Sequence, residues 1–276
     1  MSNLCLTSSV HNHSNLCDGQ SSLQEMAVAA WKQGVTTLGF TGHSHTPCDL
    51  EYCMSPSRTA RYKGEINRLK AQYAGKMDVL CGIEWDQFSD EEPNGYDYWI
   101  GSVHYLRGPV TGKYYEIDWR ESDLHTCVDV EFGGDGLAMA EAYFASVAQV
   151  AEKKPTILGH FDLIKKLNGK GEFFNESSPR YRDAALNALR QAIKHCTVLE
   201  INTGGYKAGL GVPNPTPDVI RRYRELGGEK ITFGADAHKP EHIAFHFADA
   251  AAIAQEAGFR YYVRFKEKKP EYLPIQ

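Results

Sequence analysis

Short apolar runs recur along the chain, and each gives way to a histidine or an acid before a stretch with helical spacing begins. Leu4 to Val10 is β-prone and ends in His11-Asn12-His13, with Asp18 in the loop beyond. Ser22 and Glu25 form a capping box for a helix through Met26, Ala29, Ala30 and Trp31, which Gly34 stops. Val35 to Phe40 predicts a second strand running into Thr41-Gly42-His43, and the pattern from Pro56 through Tyr62, Ile66, Leu69 and Tyr73 predicts a helix. Met77 to Ile83 is a third strand closed by Glu84, and Tyr98 to Val103 a fourth closed by His104. From Tyr105 to Gly136 charges are mixed and no period emerges, so this segment reads as a substrate-facing excursion without assignable secondary structure.

Helical spacing returns over Leu137 to Glu152, and Thr156 to Gly159 is a fifth strand ending at His160, with Asp162 two positions on. Ser178-Pro179 starts a helix through Leu186, Leu189 and Ile193, Thr197 to Ile201 is a sixth strand, and Asn202-Thr203-Gly204-Gly205 reads as a turn. Thr216-Pro217 opens another helix before the strand Lys230 to Phe233, which leads to Asp236-Ala237-His238. Period-two alternation puts Asp236 and His238 on one face. A last helix from Pro240 to Glu256 and a β-prone Tyr261 to Phe265 follow.

Six or seven βα units without a linker or a repeat predict an α/β fold. The pattern favours a parallel barrel formed by one domain, residues 1–276, with its site at the C-terminal ends of the strands. An open doubly wound sheet is the alternative, but it gathers side chains from fewer strands. Composition narrows the function. Thirty Lys plus Arg against 35 Asp plus Glu give a formal charge of −5, which excludes a basic field for nucleic acid. No run of about 18 apolar residues predicts a membrane span, and Met1 to Ser9 lacks the features of a signal peptide. Seven scattered cysteines suit a reducing compartment, so a cytoplasmic protein is expected.

Any one histidine is more often a surface or core residue than a ligand, but recurrence at successive strand ends changes the odds. His11, His13, His43, His104, His160 and His238, with Asp18, Glu84 and Asp236, offer more donors than one ion takes, so more than one metal is implied. Glu84 and Asp236 are the natural bridges. Imidazole with carboxylate and no thiolate suits Zn, Mn or Fe, and clustered ions of this kind point to hydrolysis at phosphorus. Trp85, Tyr105, Tyr114, Tyr115, Trp119 and Tyr206 are candidates to line a pocket, and barrel packing explains aromatics equally well.

The set His11-x-His13, Asp18, Gly42-His43, Glu84, Gly101-Ser102-Val103-His104, Gly159-His160-Phe161-Asp162 and Asp236-x-His238 resembles the PHP (polymerase and histidinol phosphatase) superfamily over nearly the whole chain. Its histidinol-phosphatase branch is resembled by Asp97-Tyr98-Trp99-Ile100-Gly101-Ser102-Val103-His104, Leu199-Glu200-Ile201-Asn202-Thr203-Gly204-Gly205 and Lys268-Lys269-Pro270. The resemblance implies a distorted (β/α)7 TIM-like barrel with three divalent transition-metal ions. His11, His13, Glu84 and Asp236 would hold the first, Glu84, His104 and His160 the second, and Asp18, His43 and His238 the third. It further implies that a hydroxide bridging two ions attacks L-histidinol phosphate and releases L-histidinol and phosphate in histidine biosynthesis. Glu84, Asp236 and His43 are the candidate catalytic residues. Lysines stand where the family often has phosphate-holding arginines, so Lys165 and Lys207, with Asn202, are the candidate substrate contacts, and Asp162 is a candidate to orient His160. Gly42 replaces an acid that many relatives carry before the histidine. Another phosphate ester as substrate, an amidohydrolase-type barrel and a metal-stabilised module without turnover are the competing readings.

Overall fold

A strand buried on both faces needs apolar residues at nearly every position, and the central strands of this chain have them. The computed structural model describes residues 6–195, 197–266 and 269–276; the start of the run from Leu4, together with Cys5, Cys196 and Lys268, lies outside the described residues. The first half comprises β1 (Ser8–Ser9), α1 (Leu23–Gln33), β2 (Thr37–Phe40), α2 (Pro56–Gln72), β3 (Asp78–Asp86), β4 (Tyr98–Ser102), β5 (Tyr105–Arg107), β6 (Tyr114–Glu116), α3 (Glu121–Phe132) and α4 (Gly136–Glu152). The second comprises β7 (Ile157–Leu158), α5 (Pro179–Lys194), β8 (Val198–Asn202), α6 (Gly204–Lys207), α7 (Pro217–Glu225), β9 (Ile231–Gly234), α8 (Phe247–Glu256), β10 (Tyr261–Lys266) and β11 (Lys269–Pro274). Seven strands pair in the order β1-β2-β3-β4-β7-β8-β9, every neighbour parallel.

The ring is nearly closed. Above the strands Asn12 pairs with Ala237: the His13 N–H donates to the Ala237 carbonyl at 2.9 Å, and the Ala237 N–H to the His11 carbonyl at 3.2 Å. This TIM-like α/β barrel puts the strand ends around one mouth. Tyr98 crosses the interior from β4 to donate its hydroxyl to the Val10 carbonyl, and it fits because Gly39 lacks a side chain: a Cβ there would stand 2.0 Å from the tyrosine oxygen.

The β-prone run at Tyr261 is not a barrel strand. β10 pairs antiparallel with β11, and its Val263 and Phe265 pack with Leu80, Tyr98, Ile157 and Val198 near the N-terminal ends of the barrel strands, away from the mouth. The excursion that shows no period contains the β5–β6 hairpin and α3. Buried Glu131 of α3 accepts from the Val110 N–H at 2.7 Å and the Tyr115 hydroxyl at 2.9 Å, tying the hairpin down through contacts distant in sequence. The long last helix is broken: a 3-10 turn at Pro240–His242 precedes α8, with His246 at φ 54° between them. The turn after β8 is the four-residue helix α6.

Candidate metal centre

β3 runs on to Asp86, so Glu84 is fully inside a strand and faces the barrel axis rather than a loop. It is buried, and its two oxygens divide the histidines. Oε2 lies 3.1 Å from His11 Nε2, 3.4 Å from His13 Nε2 and 3.2 Å from His43 Nδ1, while Oε1 lies 2.8 Å from His160 Nε2 and 3.3 Å from His104 Nε2. Asp236 Oδ1 stands 3.2 Å from His13 Nε2 and 3.8 Å from His11 Nε2. Towards solvent, Asp18 Oδ2 stands 2.9 Å from His238 Nε2 and 3.5 Å from His43 Nε2, and its Oδ1 is 3.5 Å from His13 Nδ1.

All nine donors expected from the sequence therefore converge. Eight of them form three overlapping groups: His11, His13 and Asp236; His43, Glu84 and His104; and His13, Asp18, His43 and His238. His13 and His43 each belong to two of these. His160 is outside the tight groups and meets the centre through Glu84 Oε1, with its ring 5.0 Å from that of His104 and 5.9 Å from that of His11. Asp236 reaches its place by another route than strand alternation, because β9 ends at Gly234 and Asp236 has φ 50°, a left-handed conformation rare for residues other than glycine. Strained backbone of this kind clusters at functional sites.

The donor set fits a cation. Nε2 of His11 and Nε2 of His13 are buried without a hydrogen-bond partner, an arrangement that is costly unless something else occupies their lone pairs. The field points the same way. Burial works against a charged His11 ring, yet Glu200, Glu84 and Asp236 outweigh it and push its pKa up to about 10. Burial would raise the Glu84 and Asp236 carboxyls, but the surrounding imidazoles hold both well below the usual carboxylate range. These are ionised acids around a space that favours positive charge.

Several supporting residues escape a sequence reading that looks only at strand ends. Asp86 accepts from the His104 backbone N–H at 3.0 Å and faces its Nδ1 at 3.2 Å; lying two residues beyond Glu84, it shares that face by strand alternation. Glu200 backs His11 at 2.6 Å, and an acid inside the apolar run Val198-Leu199-Glu200-Ile201 was the available signal. Tyr52 packs edge-on to His43 at 4.6 Å, with Tyr105 6.0 Å beyond it. The other aromatics lie apart: Trp85 donates to the Glu91 carbonyl, Tyr115 serves Glu131, Tyr114 packs on Phe88, Tyr206 stacks on His246, and Trp119 is exposed.

Three residues expected at the site have partners within the protein. Lys165 is buried and commits its ammonium to Glu176 at 2.9 Å. Its neighbour Lys166 pairs with Asp118 at 2.8 Å and feels Asp236 and Glu116, so the lysine beside the mouth is Lys166. Asn202 is buried: it donates to Glu200 Oε2 at 3.1 Å and to Asp236 Oδ2 at 3.4 Å and accepts from the Gly204 N–H at 2.7 Å. It holds donors in place, and its NH2 is spent within the protein. Asp162 does not orient His160; it accepts from Asn214 at 2.8 Å and from the Thr216 N–H at 2.9 Å. Lys207 does reach the centre, donating to the Asp236 carbonyl.

Six imidazoles and three carboxylates at the C-terminal mouth of a parallel barrel define a metal-dependent hydrolase of the barrel class. The chain matches the PHP domain over residues 9–204, and it is 30% identical over 272 residues to a Deinococcus radiodurans protein named Probable histidinol-phosphatase, covering 94% of this chain and 96% of that one. It belongs to the PHP domain family, in the histidinol-phosphatase branch. Histidinol-phosphatase of Bacillus subtilis is 26% identical over 263 residues, with 86% of this chain and 95% of the relative covered. In structure, the chain resembles histidinol phosphate phosphatase from Lactococcus lactis, complexed with zinc, L-histidinol and phosphate, at a TM-score of 0.68 and 20% identity, covering 96% and 98% of the two chains. At that identity the likeness is one of fold.

Proposed function

We propose that this chain, working as one barrel domain, is a metal-dependent phosphomonoesterase that hydrolyses L-histidinol phosphate to L-histidinol and phosphate. The observation that carries this is Glu84, whose Oε2 faces His11, His13 and His43 while Oε1 faces His104 and His160. A carboxylate between donor groups suits cations about 3.5–4 Å apart, the spacing that clamps both oxygens of an in-line displacement at phosphorus. The named activity of the similar proteins supports the substrate.

We assign three divalent ions, Zn, Mn or Fe by donor type. The first falls to His11, His13, Glu84 and Asp236, the second to Glu84, His104 and His160, and the third to Asp18, His43 and His238. Bound there, such ions supply an acidified water and neutralise phosphate oxygens. Glu84, common to the first two sets, and Asp236, in the first, stay ionised, and His43 presents one nitrogen to Glu84 and the other to Asp18. Asp18, Asp236 and His238 keep 30%, 23% and 29% of their side chains exposed, so the phosphate enters on their side. Lys207 and Lys166 flank that side, and each can donate to a phosphate oxygen as a point charge.

The test is kcat/KM for histidinol phosphate beside a panel of other small phosphate monoesters, in one metal-loaded preparation. Histidinol phosphate is expected to lead by at least about tenfold, a difference of about 1.4 kcal/mol in transition-state binding. A different ester in front would overturn the substrate while leaving the metal chemistry standing.

A further inference from the structure

Among the described residues, β8 is the barrel strand that supplies none of the nine donors. β1 leads to His11 and His13, β2 to His43, β4 to His104, β7 to His160 and β9 to Asp236 and His238, while β3 carries Glu84. What β8 places there instead is Glu200, a carboxylate with 0% exposure in an otherwise apolar strand. A charge so buried is tolerated only where hydrogen bonds replace its water.

Each of its bonds goes to a donor residue or to the asparagine that holds one. Glu200 Oε1 lies 2.6 Å from His11 Nδ1, and Oε2 accepts from the His160 backbone N–H at 2.9 Å and from Asn202 Nδ2 at 3.1 Å. The same Asn202 nitrogen reaches Asp236 Oδ2 at 3.4 Å. Donors following β1, β7 and β9 are thus tied together from β8. The neighbouring strand makes room for this: a Cβ on Gly234 would stand 1.9 Å from Glu200 Oε1. With Nδ1 engaged, the His11 ring can only offer Nε2 to the centre, and that nitrogen is the buried, unbonded one, 3.1 Å from Glu84 and 3.8 Å from Asp236.

We propose that Glu200, with Asn202 beside it, is the positioning residue of the centre, fixing the tautomer and direction of His11 and the placement of His160 and Asp236 without touching metal or substrate. It rests on the metal reading given above. A carboxylate on the far nitrogen of a ligating imidazole fixes the ring and raises the basicity of the nitrogen that binds. Asp86 does this for His104 alone, whereas Glu200 acts on donors from three strands.

The experiment compares wild type with Glu200→Gln and Glu200→Asp. Metal-free protein is titrated with Zn(II) against a chromophoric chelator, and the low-field imidazole N–H resonances of the zinc-loaded protein are recorded. In Glu200→Gln the amide must turn its NH2 towards a donor, so affinity at the tightest site falls about 10–100-fold and one low-field N–H resonance disappears. Glu200→Asp regains part of both. Unchanged zinc affinity with the resonance retained would overturn the role. Should Glu200→Gln prove insoluble, Asn202→Ala leaves the Glu200–His11 contact in place while removing the amide that joins Glu200 to Asp236 and caps the Gly204 N–H, and it is expected to weaken zinc in the same direction; unaltered affinity there overturns the proposal equally. Wild-type protein that binds zinc but ignores histidinol phosphate refutes the substrate and leaves this outcome readable.

Discussion

The floor and the rim of the centre are built differently. On the floor, His11, His13, Glu84 and His160 are sealed, and His11 and Glu84 have further partners in Glu200 and Ser102. At the rim, Asp18, Asp236 and His238 are partly exposed; His238 rests on the Asp236 carbonyl at 2.9 Å, and Lys166 and Lys207 stand nearby. The difference teaches how one site can hold ions and still exchange ligands. A sealed carboxylate among imidazoles cannot give up its partners without leaving a charge bare, whereas an exposed one has water to replace them.

The largest effect should fall on the floor. Glu84→Gln removes the charge that faces five histidines and is expected to lower kcat/KM by on the order of 10³-fold or more while reducing the metal content found by elemental analysis. His238→Ala, at the rim, should cost roughly 10–100-fold, the range of a single change in a ligand shell, and release one ion. Equal losses in the two variants would erase the distinction between floor and rim.

A smaller effect separates two adjacent lysines. Lys166→Ala is expected to raise KM for histidinol phosphate roughly tenfold, the worth of one charge-assisted hydrogen bond at about 1.5 kcal/mol, with kcat little changed. Lys165→Ala should leave KM alone and show instead in stability, since it strips Glu176 of its buried partner. Steady-state kinetics of both variants decide it, and a KM rise confined to Lys165→Ala would restore the assignment made from sequence.

The lysine pair shows where the sequence stops being legible. The barrel strands were readable because burial on both faces demands apolar runs, and the donors were readable because parallel strands bring their C-terminal ends to one mouth. Which of two neighbouring lysines faces that mouth depends on a single 3-10 turn at Leu163–Lys165, and no periodicity encodes its direction. The hairpin of the excursion has strands of three residues, too short for a pattern, and is held by Glu131 from a helix further along the chain. Asp162 and Glu200 are both buried acids in or just beyond barrel strands, yet only the fold reveals that the first holds Asn214 and the second holds His11. Asp236 was placed on the correct face for an incomplete reason, since its left-handed backbone does the placing.

The smallest expected effect lies at the outer edge of the rim, on β6. Burial, reinforced by Asp118, Asp49 and Asp123, pushes the half-buried Glu116 carboxyl from 4.5 up to about 7. Between those values the folded chain binds more protons than the unfolded one, so this group favours the fold fully below about pH 4.5, and that advantage is lost as pH rises through about 7. Glu116→Gln keeps the neutral form at every pH. Measured on metal-free protein, its Tm relative to wild type should therefore rise between about pH 5 and about pH 8. Partial exposure and solvent screening limit the gain to about 1 kcal/mol, or roughly 2–4 °C for a chain of this size. Parallel Tm curves for the two proteins would mean that Glu116 is already ionised at the rim, and that the acids around it are further apart in solution than in this fold.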